Sequence, residues 1–418
     1  VVTAALLGAF QIPAAAAPTA IPGLLAWGAN GAGQIGDGTT TTRQAPVAVA
    51  TQDTAFSQIA AGQKFSMALT SDGRLFAWGD NSAGQLGTGT LGGSSRLPKQ
   101  VTMPDAAAVV AIAAGTRHAL AVTALGHVYG WGQNNHGETG TGTVSTAVAT
   151  PTLVPMPAGV TPVAVAGGEG YSLALTSAGS VLAWGLNGHG QLGNGTTDKT
   201  LIALTPVFVT LPADTTVTAI GAGDHSVALT ATGQVLCWGD NGGGQLGNGL
   251  IDANGSPLPV EVVMPAGTSA TAIADNTGKS FAALQDGRVL AWGLDSDGQL
   301  GDGATVRVRA TPVFVALPAG TDVVGLAAGG LDGFAVTAAG AIFAWGSDAG
   351  GRLGDGPALS SSTPVPVALP AGMTAAAVAA GGPHALAIVA PAAAPRSAPG
   401  RMPGSAGPVT TSVETFPH

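Results

Sequence analysis

Proton-transferring side chains recur in this chain at positions that align when the sequence is stacked on its Trp-Gly dipeptides. The aligned set is Phe65, His118, Tyr171, His225, Lys279, Asp332 and His384. Imidazole, carboxylate, amine and phenol are the groups that general acid–base catalysis draws on, and imidazole also binds metals. His225, Lys279 and Asp332 fall in consecutive repeats. They could serve a lyase or a carbohydrate-active site at the mouth of a central shaft. The structural alternative is a His at a strand start that hydrogen-bonds a neighbouring repeat. The slot also accepts Phe. Such variety implies partial exposure near the shaft mouth and makes the seven positions a candidate interaction ring.

Other chemical patterns are weaker. Gly31-Ala32-Gly33-Gln34-Ile35-Gly36 fits the spacing of a dinucleotide fingerprint, but that fingerprint needs a following helix and a parallel βαβ unit, and here the segment recurs in repeat after repeat. His136 and His189 occupy matching loop positions without a spaced ligand set. Asp295-Ser296-Asp297-Gly298 starts like a calcium loop but lacks the later Glu. No Ser/His/Asp elbow or reactive cysteine setting is evident. Cys237 stands where other repeats carry Ala26, Ala77, Gly130, Ala183, Ala291 and Ala344, so a buried, inert thiol is expected. No cofactor and no metal site are expected.

The elements that would position these residues follow from the repeat. All seven tryptophans lie in Trp-Gly dipeptides, at 27, 78, 131, 184, 238, 292 and 345, spaced by 51, 53, 53, 54, 54 and 53 residues. Before each lies an alternating apolar stretch, such as Ser66-Met67-Ala68-Leu69-Thr70, a turn with Gly73, and Leu75-Phe76-Ala77-Trp78. Two short strands joined by a Gly turn make a β-hairpin. An inner segment of small residues, such as Val109 to Gly115, and an outer one, such as Pro206-Val207-Phe208-Val209, complete four antiparallel strands. Such units repeated radially form an all-β propeller, here of seven blades. The chain enters on a Trp-Gly strand, Leu24 to Trp27, that lacks its inner partners. It leaves on inner strands, Val378 to Ile388, that lack a Trp-Gly partner. One blade shared by the two ends therefore closes the ring.

Composition narrows the function. The 418 residues include 66 Gly, 28 Pro and only 9% charged residues, with a net charge of −9 and 14 Lys plus Arg. Phosphate-directed nucleic-acid binding needs clustered cations, so it is not expected. Residues 1–20 begin with an apolar stretch, Val1 to Phe10, and then small residues, in the manner of a secretory signal. Export to the cell envelope or medium is the expectation, with a disordered leader as the alternative. That stretch is too short to span a bilayer, and no other run qualifies. The propeller is expected over 21–389, followed by a disordered Pro-, Ala-, Gly- and Ser-rich tail or linker over 390–418.

The pattern Ala-Gly-x-x-His-Ser/Ala-x-Ala-Leu, a Gly turn, then Trp-Gly-x-Asn-x-x-Gly-Gln-Leu-Gly resembles the repeats of the regulator of chromosome condensation family, over roughly 21 to 389. The resemblance implies a seven-bladed propeller. The family's namesake exchanges guanine nucleotide on a small GTPase and binds nucleosomes through basic, disordered segments. Here the tail offers only Arg396 and Arg401, and no wedge-like insertion stands out. The chain is also similar to a secreted bacterial β-lactamase inhibitor of the same propeller type. That inhibitor's binding face is rich in aromatics, whereas this chain has only Tyr129 and Tyr171 as tyrosines. An acidic, Ala- and Gly-rich chain with a candidate export segment points to a bacterial member.

Two further rings, Asn30, Asn81, Asn134, Asn187, Asn241, Asp295, Asp348 and Gln34, Gln85, Glu138, Gln191, Gln245, Gln299, Arg352, read as turn-forming and blade-bridging residues. Sequence variation concentrates in the long connections 88–98, 141–151, 194–206 and 248–259. Variable loops on a rigid frame carry recognition. The chain is thus read as a monomeric protein-interaction scaffold that binds an unidentified protein through one propeller face. The other readings are an exchange factor or inhibitor that regulates another enzyme, and, less directly, an enzyme in its own right.

Overall fold

The computed structural model describes residues 23–51, 55–196, 202–357 and 359–392. The leader at 1–20 and all but the first residues of the 390–418 tail lie outside the described residues. The described chain is all β: seven antiparallel sheets of four strands each. No helix in it is long and apolar enough to cross a membrane.

β1 (Gly23–Gly28) and β2 (Arg43–Ala48) open the chain. One complete blade follows, with β3 (Phe56–Ala61) innermost, then β4 (Phe65–Thr70), β5 (Leu75–Asp80) and β6 (Ser94–Val101) at the rim. Five more blades repeat this order over 109–154, 162–208, 217–261, 270–314 and 323–366. We number these six blades one to six. The seventh sheet joins β1 and β2 to the strands Met373–Ala380 and His384–Pro391. In it β1 pairs residue for residue with the last strand, from Gly23↔Val389 to Gly28↔His384. The two chain ends therefore share one blade, and the pairing extends to Pro391.

The local reasons are legible in β4 and β5. Both alternate apolar residues and lie buried between blades. Gly73 turns between them at φ +85°, a conformation that L side chains resist. At Gly79 the register of β5 against β6 shifts, and φ is +101°. A Cβ there would come within 2.5 Å of the Lys64 carbonyl, so the Gly of Trp-Gly is sterically required.

The core is the set of interfaces between blades, and each Trp is fully buried in one of them. The indole Nε1 of Trp78 donates to the Gln34 carbonyl of the preceding blade at 2.8 Å. The same bond recurs from Trp131 to Gln85, Trp184 to Glu138, Trp238 to Gln191, Trp292 to Gln245, Trp345 to Gln299 and Trp27 to Arg352, at 2.8 to 3.1 Å. The Gln-type ring thus bridges blades through its backbone oxygen. This explains why Glu138 and Arg352 are tolerated there, since the bridging atom belongs to the main chain. The seventh bond, from Trp27 to Arg352, spans the chain closure.

Candidate functional site

The seven aligned residues sit at the starts of the second strands, next to the tips of the inner hairpins. All are 0 to 1% exposed. This corrects the expectation of partial exposure. The side chains point into the interfaces between blades, and none of them lines the central shaft.

Their chemistry varies because their partner varies with them. The partner is the residue that follows the ring position in the next blade. His118 Nε2 meets Ser172 Oγ at 2.9 Å, and His384 Nε2 meets Ser66 Oγ at 2.8 Å. His225 Nε2 lies 2.6 Å from Ser280 Oγ. Tyr171 donates its hydroxyl proton to the His225 carbonyl at 2.6 Å and accepts from Ser226 Oγ at 2.9 Å. Phe65, which cannot bond, shares an apolar cluster with Ala119. After Lys279 the equivalent residue is Gly333, and the ammonium instead donates to the carbonyls of Gly329 and Gly330 at 2.5 and 3.1 Å. After Asp332 it is Ala385, and Asp332 Oδ1 has no partner. Buried polar groups need partners; four ring residues meet that need with the matched serine, and Lys279 meets it with main-chain carbonyls.

Burial sets the charge states. It lowers His118 and His384 to about 4, so both are neutral at physiological pH. Burial acts the same way on His225, but the hydrogen bond and charge of Asp224, with Asp275 and Asp240 beyond, outweigh it and raise the imidazole. Burial lowers Lys279 against the attraction of Asp332, and raises Asp332 against the attraction of Lys279. Lys279 and Asp332 are therefore electrostatic neighbours, whereas His225 answers to Asp224 and Asp275. His225 and Lys279 nevertheless bond within their own interfaces.

One arrangement mimics catalytic geometry. Asp224 Oδ1 lies 2.8 Å from His225 Nδ1, and Ser280 Oγ sits beyond Nε2. That is the order of a Ser-His-Asp relay. A nucleophile must reach its substrate, however, and both His225 and Ser280 are 0% exposed. The relay is a closed inter-blade tie. Asp224 also anchors the neighbouring hairpin, accepting from the Gly278 amide at 2.8 Å.

The shaft encloses about 440 Å³ and is walled mostly by Ala and Gly of the inner strands. Asp275 is the exception, in a slot that holds Ala61, Ala114, Gly167, Ala222, Ala328 or Ala380 elsewhere. Gly221 makes room for its carboxylate, since a Cβ there would collide with Oδ1. Burial raises Asp275 to about 7, although the His225 charge lowers it. Sequence reasoning missed Asp275. An acid in an Ala/Gly slot was its signal.

The remaining motifs are turns. Asn30 Oδ1 accepts the Ile35 amide at 3.0 Å, and its counterparts do likewise through Asp348 to Leu353. Gly31 to Gly36 lies within such a turn and no helix follows it. Asp295 occupies the same slot, accepting from Leu300 at 3.1 Å, and burial raises it to about 6. Among the described residues no group of three or more His, Cys, Asp and Glu could hold a metal ion. Cys237 is fully buried, and burial pushes its thiol well up.

The long loops lie on the face that carries the inner hairpin tips, because Phe65 at one end of β4 pairs with Gly79 at the end of β5. They raise apolar side chains into solvent. Leu91 and Leu97 stand on the 88–98 loop, Val144 on 141–151, and Leu250, Ile251 and Leu258 on 248–259. Leu250 and Ile251 are 63 and 59% exposed. Part of the 194–206 loop, at 197–201, lies outside the described residues.

Comparison with known proteins agrees with this architecture. Residues 15–281 match the RCC1-like domain, and 286–335 and 339–388 match the regulator of chromosome condensation (RCC1) repeat. The chain belongs to the RCC1 repeat family of seven-bladed propellers. It is 32% identical to the human E3 ubiquitin-protein ligase HERC2 over 335 residues, which are 79% of this chain and 7% of HERC2. It is 30% identical to the Arabidopsis thaliana Ultraviolet-B receptor UVR8 over 67% of this chain and 62% of the receptor. The chain thus spans less than two thirds of either relative. Among solved structures, Prp20p from Saccharomyces cerevisiae superposes with a TM-score of 0.80 at 23% identity, over 90% of this chain and 93% of Prp20p. Human WBSCR16 superposes with 0.79 at 23% identity, over 87 and 99%. At such identity these structures show the shared fold.

Proposed function

We propose that the chain is a non-catalytic protein-binding module that engages a partner through the face bearing its long loops. The carrying observation is the set of apolar side chains, Leu91, Val144, Leu250 and Ile251, held in solvent by a rigid ring. Apolar groups such as Leu125, Phe208 and Val263 are exposed on the opposite face too, but those on the loop face stand on the variable connections, which are the usual carriers of recognition. The acid–base residues support the reading by default, because the interfaces consume them. The relatives fit as well: Prp20p is described with binding to Gsp1p and histones, and in complex with Kap60. A propeller of this type thus serves protein partners elsewhere.

Affinity capture by the tagged chain, in its source organism, tests the reading. Leu91→Ser with Leu250→Ser and Ile251→Ser should abolish capture of the partner. Leu125→Ser, on an exposed hairpin turn of the opposite face, should leave it intact. Undiminished capture by the triple variant refutes the assignment of the face. From the apolar character of residues 1–17 and the acidic, Ala- and Gly-rich composition we also infer an exported bacterial protein, and as a separate expectation a monomer. Fractionation that finds it only in the cytosol, or sedimentation as a dimer, would count against that.

A further inference from the structure

The loop face is electrostatically divided. The chain has 14 Lys plus Arg against 23 Asp plus Glu, yet three cations stand in one sector, whereas Arg43 and Arg309 of the same face are paired with Asp37 and Asp302. Lys64 and Arg117 occupy the tips of adjacent inner hairpins in blades one and two, and Arg96 lies beside them on β6. Among the described residues, none of the three takes part in an ion pair. The next blades around the shaft mouth carry acids, Glu169 on blade three and Asp224 and Asp240 on blade four.

Lys64 and Arg117 line a cleft of about 710 Å³ that is distinct from the shaft. Ala29, Gly31, Ala32 and Pro383 of the split blade form its apolar part, and Gln63, Asp80 and Ser82 belong to blade one. Asp80 also lines the cleft and offsets one of the two cations, so a single net positive charge remains. Its oxygens are held on the blade-one side by the Ser82 amide at 3.1 Å, Ser82 Oγ at 2.7 Å and Gln85 Nε2 at 2.9 Å, which leaves Lys64 and Arg117 unpaired. Arg117 in turn donates to Ser82 Oγ at 2.7 Å, which fixes its guanidinium at the cleft wall. A guanidinium held in this way keeps its other N–H groups free for a carboxylate. At the outer edge, Arg96 packs against Gly33, next to cleft-lining Ala32, and exposed Leu97 follows it. Leu91 overhangs Gly84, two residues from Ser82.

We infer that this cleft, between the split blade and blade two, receives an acidic peptide segment of the protein partner, its carboxylates on Lys64 and Arg117 and an apolar side chain against Leu91 or Leu97. The inference rests on the proposed use of this face and adds the partner's chemistry. The acids of blades three and four repel the same segment and so bias it towards the split-blade side of the cleft. Such complementarity acts chiefly on selectivity and on the rate of encounter.

The test uses the full chain and a fluorescein-labelled peptide rich in Glu with one central Leu, followed by fluorescence anisotropy. Wild type should bind it, and binding should weaken as salt shortens the Debye length below about 10 Å. Lys64→Glu with Arg117→Glu should weaken binding at least about tenfold. Arg74→Glu with Arg288→Glu makes the same change in net charge at hairpin turns of the opposite face and should alter binding less than about twofold. Tryptophan emission reports the fold of each variant, and Lys64→Gln with Arg117→Gln replaces the reversal if the reversal unfolds. Equal losses in both pairs overturn the inference, as does failure of wild type to bind or equal binding of a labelled single-stranded oligonucleotide. If the cleft variant captures the partner like wild type while the Leu91, Leu250 and Ile251 variant does not, the cleft falls and the face stands. If neither variant alters capture, both fall.

Discussion

His384→Gln isolates the role of the buried ring. In the folded chain His384 lies 1% exposed in the split blade, with Nε2 on Ser66 Oγ of blade one and no partner for Nδ1. Burial lowers the imidazole from 6.5 to about 4. The folded state therefore resists protonation more than the unfolded chain does. The stability contributed by the neutral ring is complete above pH 6.5, declines as pH falls through that value, and is gone below about 4. Each pH unit between the two values is worth 1.36 kcal/mol, so the loss is roughly 3 kcal/mol. The whole-protein profile is the wrong readout. Asp275 and Asp295, raised to about 7 and about 6, favour the protonated folded state and offset the histidines as pH falls. The difference between wild type and His384→Gln cancels those terms. Urea unfolding followed by tryptophan emission is suited to this, because every Trp is buried at an interface. Gln should be less stable than His at pH 7.5, and that gap should close or reverse by roughly 3 kcal/mol at pH 4. A gap independent of pH would refute the argument and return His384 to an exposed, solvated setting.

Three further outcomes are expected. Asp275→Asn should stabilise the protein at pH 8, where the wild-type carboxylate is charged against burial beside Asp224, and the gain should vanish near pH 4; thermal unfolding at the two pH values checks it. Removing residues up to 49 deletes β1 and β2, the closing strand pair and the Trp27 bond, so the melting midpoint should fall by at least on the order of 10 °C. An unchanged midpoint would mean that the shared blade does not hold the ring. Cys237 should resist a thiol reagent in the native protein and react at the rate of global unfolding, whereas fast native labelling would contradict its burial.

How far the sequence discloses this molecule depends on whether the relevant partner lies within a repeat or in the next one. Trp-Gly and the turn at Gly73 act within a repeat, so the strands, blade count and shared blade could all be read directly. The ring at Phe65 and its counterparts can be located, but its full burial is not legible where partial exposure is expected, because variety at one slot looks like tolerance. The variety is matched one blade on: Ser172 after His118, Ser226 after Tyr171, Ser280 after His225, Ala119 after Phe65. Each pair stands about one repeat apart, so the signal was present as a correlation between neighbouring repeats. The basic cleft is less accessible still. Pro383, Lys64 and Arg117 come from three blades, one of them built from both chain ends. Only ring closure brings Pro383 beside Lys64. Regularity within blades therefore specifies the ring, and its recognition surface arises where unlike residues of successive blades meet.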